Sequence, residues 1–305
     1  MSRSQLRHQR GFGLLVFVAM VSLISFSIVL GYSGQLAKYE SNRRPVKQKA
    51  YLNQVRDQLQ AFYLANATLL DEPSAGNNYT VEALVQAAGI HRRWDVRFAM
   101  SRVLDGDTGL KHRRVVAFFP TDTDVDNPPD LESFEATGHF VSCVNAGMPC
   151  AKRELVDFDS LWFHKDARIE TQRRLERAAL KAQAYFRARM LQDPEKNISV
   201  NWFRPPFADA SGTCPSTPAY LQDLPCLNTY TPLAYFDTGS ATWKASNSVA
   251  QQLGLADDEL VSAWGDPLEL TNLQDSETTD PPFTMVFRFR NPFGGYITVR
   301  AVQQI

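Results

Sequence analysis

VKQKAYLNQVRDQLQAFYLANATLL, residues 46–70, places Val55, Leu59, Phe62, Asn66 and Leu69 at steps of three and four with polar residues between them. That spacing predicts an amphipathic helix packed along one face. Pro45 stands just before it and predicts a kink or break, because its ring removes an amide donor and crowds the preceding turn. Downstream, Thr80 is a candidate cap for the short helix VEALVQAA, which Gly89 ends. RWDVRFAMSRVL then alternates Val96, Phe98 and Met100 with Arg97, Ala99 and Ser101, and a DGDTG turn at 105–109 leads into RRVVAFF. A hairpin is the natural reading.

The same order of elements recurs. Residues 166–190 form a second amphipathic pattern, Ala-rich and charged, with Leu175, Ala179, Ala182 and Phe186 on one face. Ser246 is a candidate cap for NSVAQQLG, Gly254 closes it, and Trp264 opens WGDPLELTN much as Trp94 opens WDVRFAMS. PFTMVFRFR, NPFGG and YITVRAV complete a closing hairpin. The chain therefore reads as α+β, with one or two units of helix packed on antiparallel sheet, the second enlarged between about 193 and 245.

Composition sets outer limits. The 305 residues are 44% hydrophobic and 21% charged, enough apolar mass for sizeable cores and too much for a disordered chain. Thirty-two basic residues meet thirty-three acidic ones, so no net field points to nucleic acid or an anionic surface. At the N-terminus Arg3, Arg7, His8 and Arg10 precede a segment, Phe12 to Tyr32, that holds no Asp, Glu, Lys or Arg. Its length predicts a membrane-spanning helix, with the Arg-rich end in the cytoplasm and the rest exported. A cleaved signal peptide is the rival, although Gly31-Tyr32-Ser33 makes a weak cleavage site.

The junction Arg10-Gly11-Phe12-Gly13-Leu14-Leu15 resembles the N-terminus of type IV prepilins and of the pseudopilins of type II secretion. The resemblance implies a prepilin peptidase that cuts after Gly11 and methylates Phe12, leaving the apolar helix in place. It divides the chain into a leader at 1–11, a membrane and assembly helix at 12–44, and pilin-like periplasmic units at 45–160 and 161–305. Partners would be the membrane and other pilin or pseudopilin subunits. The location would be the inner membrane with a periplasmic domain, or outside the cell within a filament. Val16 departs from the family, which carries Glu at this fifth mature position to pair with a neighbour's amine. One minor pseudopilin at the tip also lacks it, so the departure implies a minor, tip or priming subunit; a structural subunit of this kind needs no catalytic residue and is not an enzyme. Trp264-Gly265-Asp266-Pro267 further resembles the WGxP turn before the C-terminal pseudopilin strands.

Cys143, Cys150, Cys214 and Cys226 all lie in the exported part, and their short spacings suggest disulfides 143–150 and 214–226 in an oxidising compartment. A four-thiolate zinc site is the rival, but the spacing is not CxxC. Asp122, Asp124 and Asp126 have the alternation of a calcium loop, yet glycine at the sixth position and Glu at the twelfth are missing, so a solvated acidic loop fits too. Calcium also binds some pseudopilins, near their C-terminal strands. VVAFFPTDTDV further resembles the start of haloacid-dehalogenase-type phosphatases, with Asp122 as nucleophile and Asp124 as acid/base. That leaves an alternative: a bitopic inner-membrane protein whose exported domain binds a ligand or hydrolyses a phosphoester. His91, His112, His139 and His164 are scattered and suit structural roles. The basic groups Arg92-Arg93, His112-Arg113-Arg114 and Arg173-Arg174 with Arg177 raise DNA as a partner, but they lack interleaved aromatics and read as solvated faces.

Overall fold

The computed structural model describes residues 20–23, 25–27, 43–66, 70–71, 79–106, 109–145, 147–148, 150, 152–205, 224–272 and 281–303. Helix α1 spans 43–66. Pro45 sits in the first described turn of this helix, and the residues before 43, where a kink is expected, lie outside the described residues. Buried Tyr51, Leu52, Val55, Leu59 and Tyr63 form its inner stripe. Tyr63 rather than Phe62 lies deepest, because the stripe keeps a step of four from residue 51 onward and tertiary contacts choose among adjacent options. Phe62 packs at the margin, and Asn66 turns its amide back to the Phe62 carbonyl at 2.9 Å.

Helix α2 (Val81–Ala87) is capped by Thr80, whose hydroxyl accepts from the Ala83 amide. Strands β1 (Arg97–Met100), β4 (Arg114–Phe118) and β5 (Leu155–Asp159) make an antiparallel sheet in that order. The short pair β2 (Leu104–Asp105) and β3 (Lys111–His112) extends the hairpin between β1 and β4. Phe98 pairs with Ala117 and Met100 with Val115, as the hairpin reading requires. One face of the sheet meets α1 and α2. The other is also covered: Ala99, Val116 and Phe118 pack against Phe134 of α3 (Leu131–Thr137) and against Phe140. Hence Val115, Val116, Ala117 and Phe118 are all fully buried, a run without alternation that befits a central strand.

Helix α4 (Leu161–Gln192) begins two residues after β5 ends. Leu175, Ala179, Ala182 and Phe186 face inward as expected, joined by Ala178 and Met190. They pack on a sheet of order β11-β10-β9-β6, built from β6 (Thr231–Pro232), β9 (Glu269–Thr271), β10 (Thr284–Arg290) and β11 (Tyr296–Val302). A separate hairpin, β7 (Ala234–Asp237) with β8 (Thr242–Ala245), precedes α5 (Ser248–Gln252). The cap of α5 is Asn247, whose side chain accepts from the Val249 amide, and not Ser246, whose hydroxyl is spent on the Pro232 carbonyl. Each half thus sets a long helix against an antiparallel sheet, of three strands in the first and four in the second, where β6 and the β7–β8 hairpin come before the short helix.

The fold is α+β with antiparallel sheets, but the expected N-terminal membrane-spanning helix needs correction. Among the described residues no helix is long and apolar enough to cross a membrane. The longest, α4, carries Arg, Lys, Glu and Asp along its outer face, the pattern of an amphipathic helix on a sheet. Of the apolar segment 12–32 only residues 20–23 and 25–27 are described, and they are helical and exposed. The processing and assembly positions Gly11, Phe12 and Val16 lie outside the described residues.

Candidate functional site at the junction of the two units

Ser160 is the single residue between β5 and α4, so its backbone joins one unit to the other. Its amide donates to the Arg113 carbonyl at 3.0 Å, and its hydroxyl oxygen accepts from the Arg113 amide at 2.9 Å. The hydroxyl donates to Oδ2 of Asp71 at 2.7 Å. One helical turn later His164 brings Nε2 to the same Oδ2 at 2.8 Å. From the second unit, Trp264 donates its indole Nε1–H to His164 Nδ1 at 3.3 Å. Asp71, Ser160 and His164 are each 0% exposed.

The donors fix the protonation pattern. An indole nitrogen only donates, so Nδ1 of His164 is the bare nitrogen and Nε2 carries the proton that Asp71 accepts. Asp71 receives two donors on one oxygen. Arg113, also buried, gives its guanidinium to the carbonyls of Leu70 and Ser101 at 3.2 and 3.3 Å. Tyr63 feels both charges. Burial pushes its phenol far above the ordinary tyrosine value, Asp71 adds to that, and Arg113 opposes it.

Around the polar chain lies an apolar seam in which Leu110 of the first unit meets Ala167 and Trp264, with Phe163 and Phe293 beside them. The rings of Phe293 and His164 meet edge to face at 4.7 Å. Gly106 is pinned here: an added Cβ would stand 3.0 Å from both the Leu110 carbonyl oxygen and Leu161 Cδ1.

Serine, histidine and aspartate at one point suggest a nucleophilic triad, but the wiring differs. A triad runs Ser to His to Asp, so that the imidazole takes the hydroxyl proton. Here Ser160 and His164 both address Asp71, and the imidazole's other nitrogen is held by Trp264. With all three groups enclosed, this arrangement is a clamp. It fastens residue 71, the start of α4 and the loop before β9 into one network.

The residues singled out from sequence fall elsewhere. Asp124 lies on a 3-10 turn (Asp122–Val125), accepts from Thr121 at 2.6 Å and takes both oxygens to Arg153 at 3.0 Å. Burial raises its pKa, but the bonds from Thr121 and Arg153 outweigh this and leave it below the usual aspartate value. Asp122 and Asp126 are exposed on either side. Among the described residues no group of three or more His, Cys, Asp or Glu is gathered to hold a metal ion. Cys143 and Cys150 form a disulfide, with Cα atoms 5.5 Å apart. Cys226 is disulfide-bonded, and its expected partner Cys214 lies outside the described residues.

Several members of the basic groups are drawn into ion pairs, while Arg113 binds backbone carbonyls. Arg174 and Arg177 reach Glu170, Arg177 also reaches Glu259, Arg92 lies 3.8 Å from Glu82, and Arg114 meets Asp157. Trp264 had been marked in the sequence by its turn and His164 by its type. Asp71 carried no signal, because its partner is 93 residues away. No protein-family model, no curated protein and no solved structure matches the chain.

Proposed function

We propose that the chain is a minor structural subunit of a type IV pilus or type II secretion-like filament. It is processed after Gly11, and the segment that follows packs against neighbouring subunits. The observation that carries this reading is the succession, behind a basic leader and an apolar segment, of two long helices each packed on an antiparallel sheet. The buried polar groups support it as well. Asp71 through its Oδ2, and His164, Asp124 and Glu259, each bind internal partners, as in a protein whose work is to hold shape and offer surfaces. The Cys143–Cys150 bond suits export to an oxidising compartment.

Intact-mass measurement on protein from the producing cells tests the reading. A chain that starts at Phe12 with a methylated amine supports it, and an uncut Met1 or a start after Ser33 overturns it. Val16→Glu separates positions within a filament: a tip subunit gains nothing from the new carboxylate, whereas improved incorporation along the shaft removes the tip assignment.

A further inference from the structure

Between β4 and β5 the chain makes an excursion, residues 119–154, with seven acidic residues against two basic ones in a protein whose net charge is only −1. Arg153 is spent internally on Asp124: the pair is almost wholly enclosed, with side chains 1% and 6% exposed. Asp122 and Asp126 stay exposed, and between them Val125 is 87% exposed. Alongside runs the loop of the Cys143–Cys150 disulfide, where Val144 is 63% and Met148 43% exposed.

The two loops are fastened side by side. The Val144 amide donates to the Pro128 carbonyl at 2.9 Å, and Asn127 and Asn145 exchange bonds of 3.1 and 2.9 Å. Asp130 and Val141 form an isolated antiparallel bridge. A disulfide, an enclosed ion pair and a two-way amide bond thus hold a surface whose exposed valines each forgo burial worth roughly 1.5 kcal/mol. Prior rigidity of this kind lowers the entropy cost of association.

We propose that this face docks a second protein, through an apolar socket rimmed by Lys or Arg side chains. The exposed Asp122 and Asp126 select that rim. They also disfavour a two-fold contact with another copy of this chain, which would set acidic rim against acidic rim. The proposal stands whether or not the chain is a filament subunit.

The test is a photo-crosslinking amino acid placed at Val125 or Val144 of the full chain in the producing cells, with exposed Leu180 of α4 as the reference position. The expected result is one adduct from Val125 and Val144 and none from Leu180. Its second component, identified by mass spectrometry, is a different protein crosslinked at an apolar peptide next to Lys or Arg. Asp122→Lys with Asp126→Lys should cut the yield about tenfold, since opposing rim charges govern such encounters, while the melting temperature holds. No adduct, equal adducts at Leu180, a partner that is a second copy, or indifference to the charge reversal would each overturn the proposal.

Discussion

Gly89 and Gly254 take the same left-handed conformation, φ 67° and 64°, at the same place in the two halves of the molecule. Each amide donates to the carbonyl three residues back, Gln86 or Gln251, and the next residue's amide to the carbonyl five back, Val85 or Ala250. Four residues after Ile90 and ten after Leu255 a second left-handed residue follows, Trp94 or Gly265, and in both halves Asp comes next. The parallel runs from helix end to strand entry. It sets Trp94 against Gly265, one residue away from the Trp94–Trp264 match that the sequence suggests.

Alanine at Gly89 or Gly254 should cost about 1–2 kcal/mol in urea unfolding, because no atom lies within 4 Å of the added Cβ and only the left-handed backbone is penalised. Gly138→Ala should cost more. There φ is 70° and the new Cβ would meet Leu104 Cδ1 at 2.6 Å and Arg114 Cδ at 2.9 Å. Equal losses at all three positions would refute the distinction.

His164→Ala should destabilise by about 3–5 kcal/mol, since it strips a donor from a buried carboxylate. Trp264→Phe leaves Nδ1 without its donor and should cost about 1–3 kcal/mol. Combined with Asp71→Asn, the His164 loss should be far less than additive, because both changes remove one interaction. Additive losses in the double-mutant cycle would show that the two side chains act separately.

Glu259 gives an acid-dependent term. Burial raises its pKa, but hydrogen bonds from Lys181 and the Ala256 amide, with the charges of Lys181 and Arg177, hold it below the ordinary value. A carboxyl depressed in the folded state stabilises fully above its unfolded pKa of about 4.3, and that contribution disappears as pH falls through the lower folded value. Asp124, depressed by Thr121 and Arg153 against its own burial, acts in the same direction. Urea midpoints measured from pH 6 to pH 3 should fall, and the fall should be smaller in Glu259→Gln. An equal fall would assign acid sensitivity elsewhere.

Reduction of Cys143–Cys150, or Cys143→Ser with Cys150→Ser, should lower stability by about 2.5 kcal/mol on the loop-entropy estimate for so short a ring. Non-reducing peptide mapping should recover the 143–150 link. Free thiols at both positions would defeat the expectation.

By itself the sequence determined the α+β class, both long amphipathic helices, the hairpins at 97–118 and 284–302, and the Cys143–Cys150 link. These are local: a step of three or four, an alternation or a pair of glycines acts within a few residues of itself. Only the tertiary structure decided that β4 is buried on both faces, since the covering Phe134 lies on a separate helix and small Ala99 gave no apolar signal. It alone turned Asp124 toward Arg153 across 29 residues and brought Asp71, Ser160, His164 and Trp264 to one point. A buried hydrogen bond is specified by where two units meet, and no periodicity along the chain encodes that meeting.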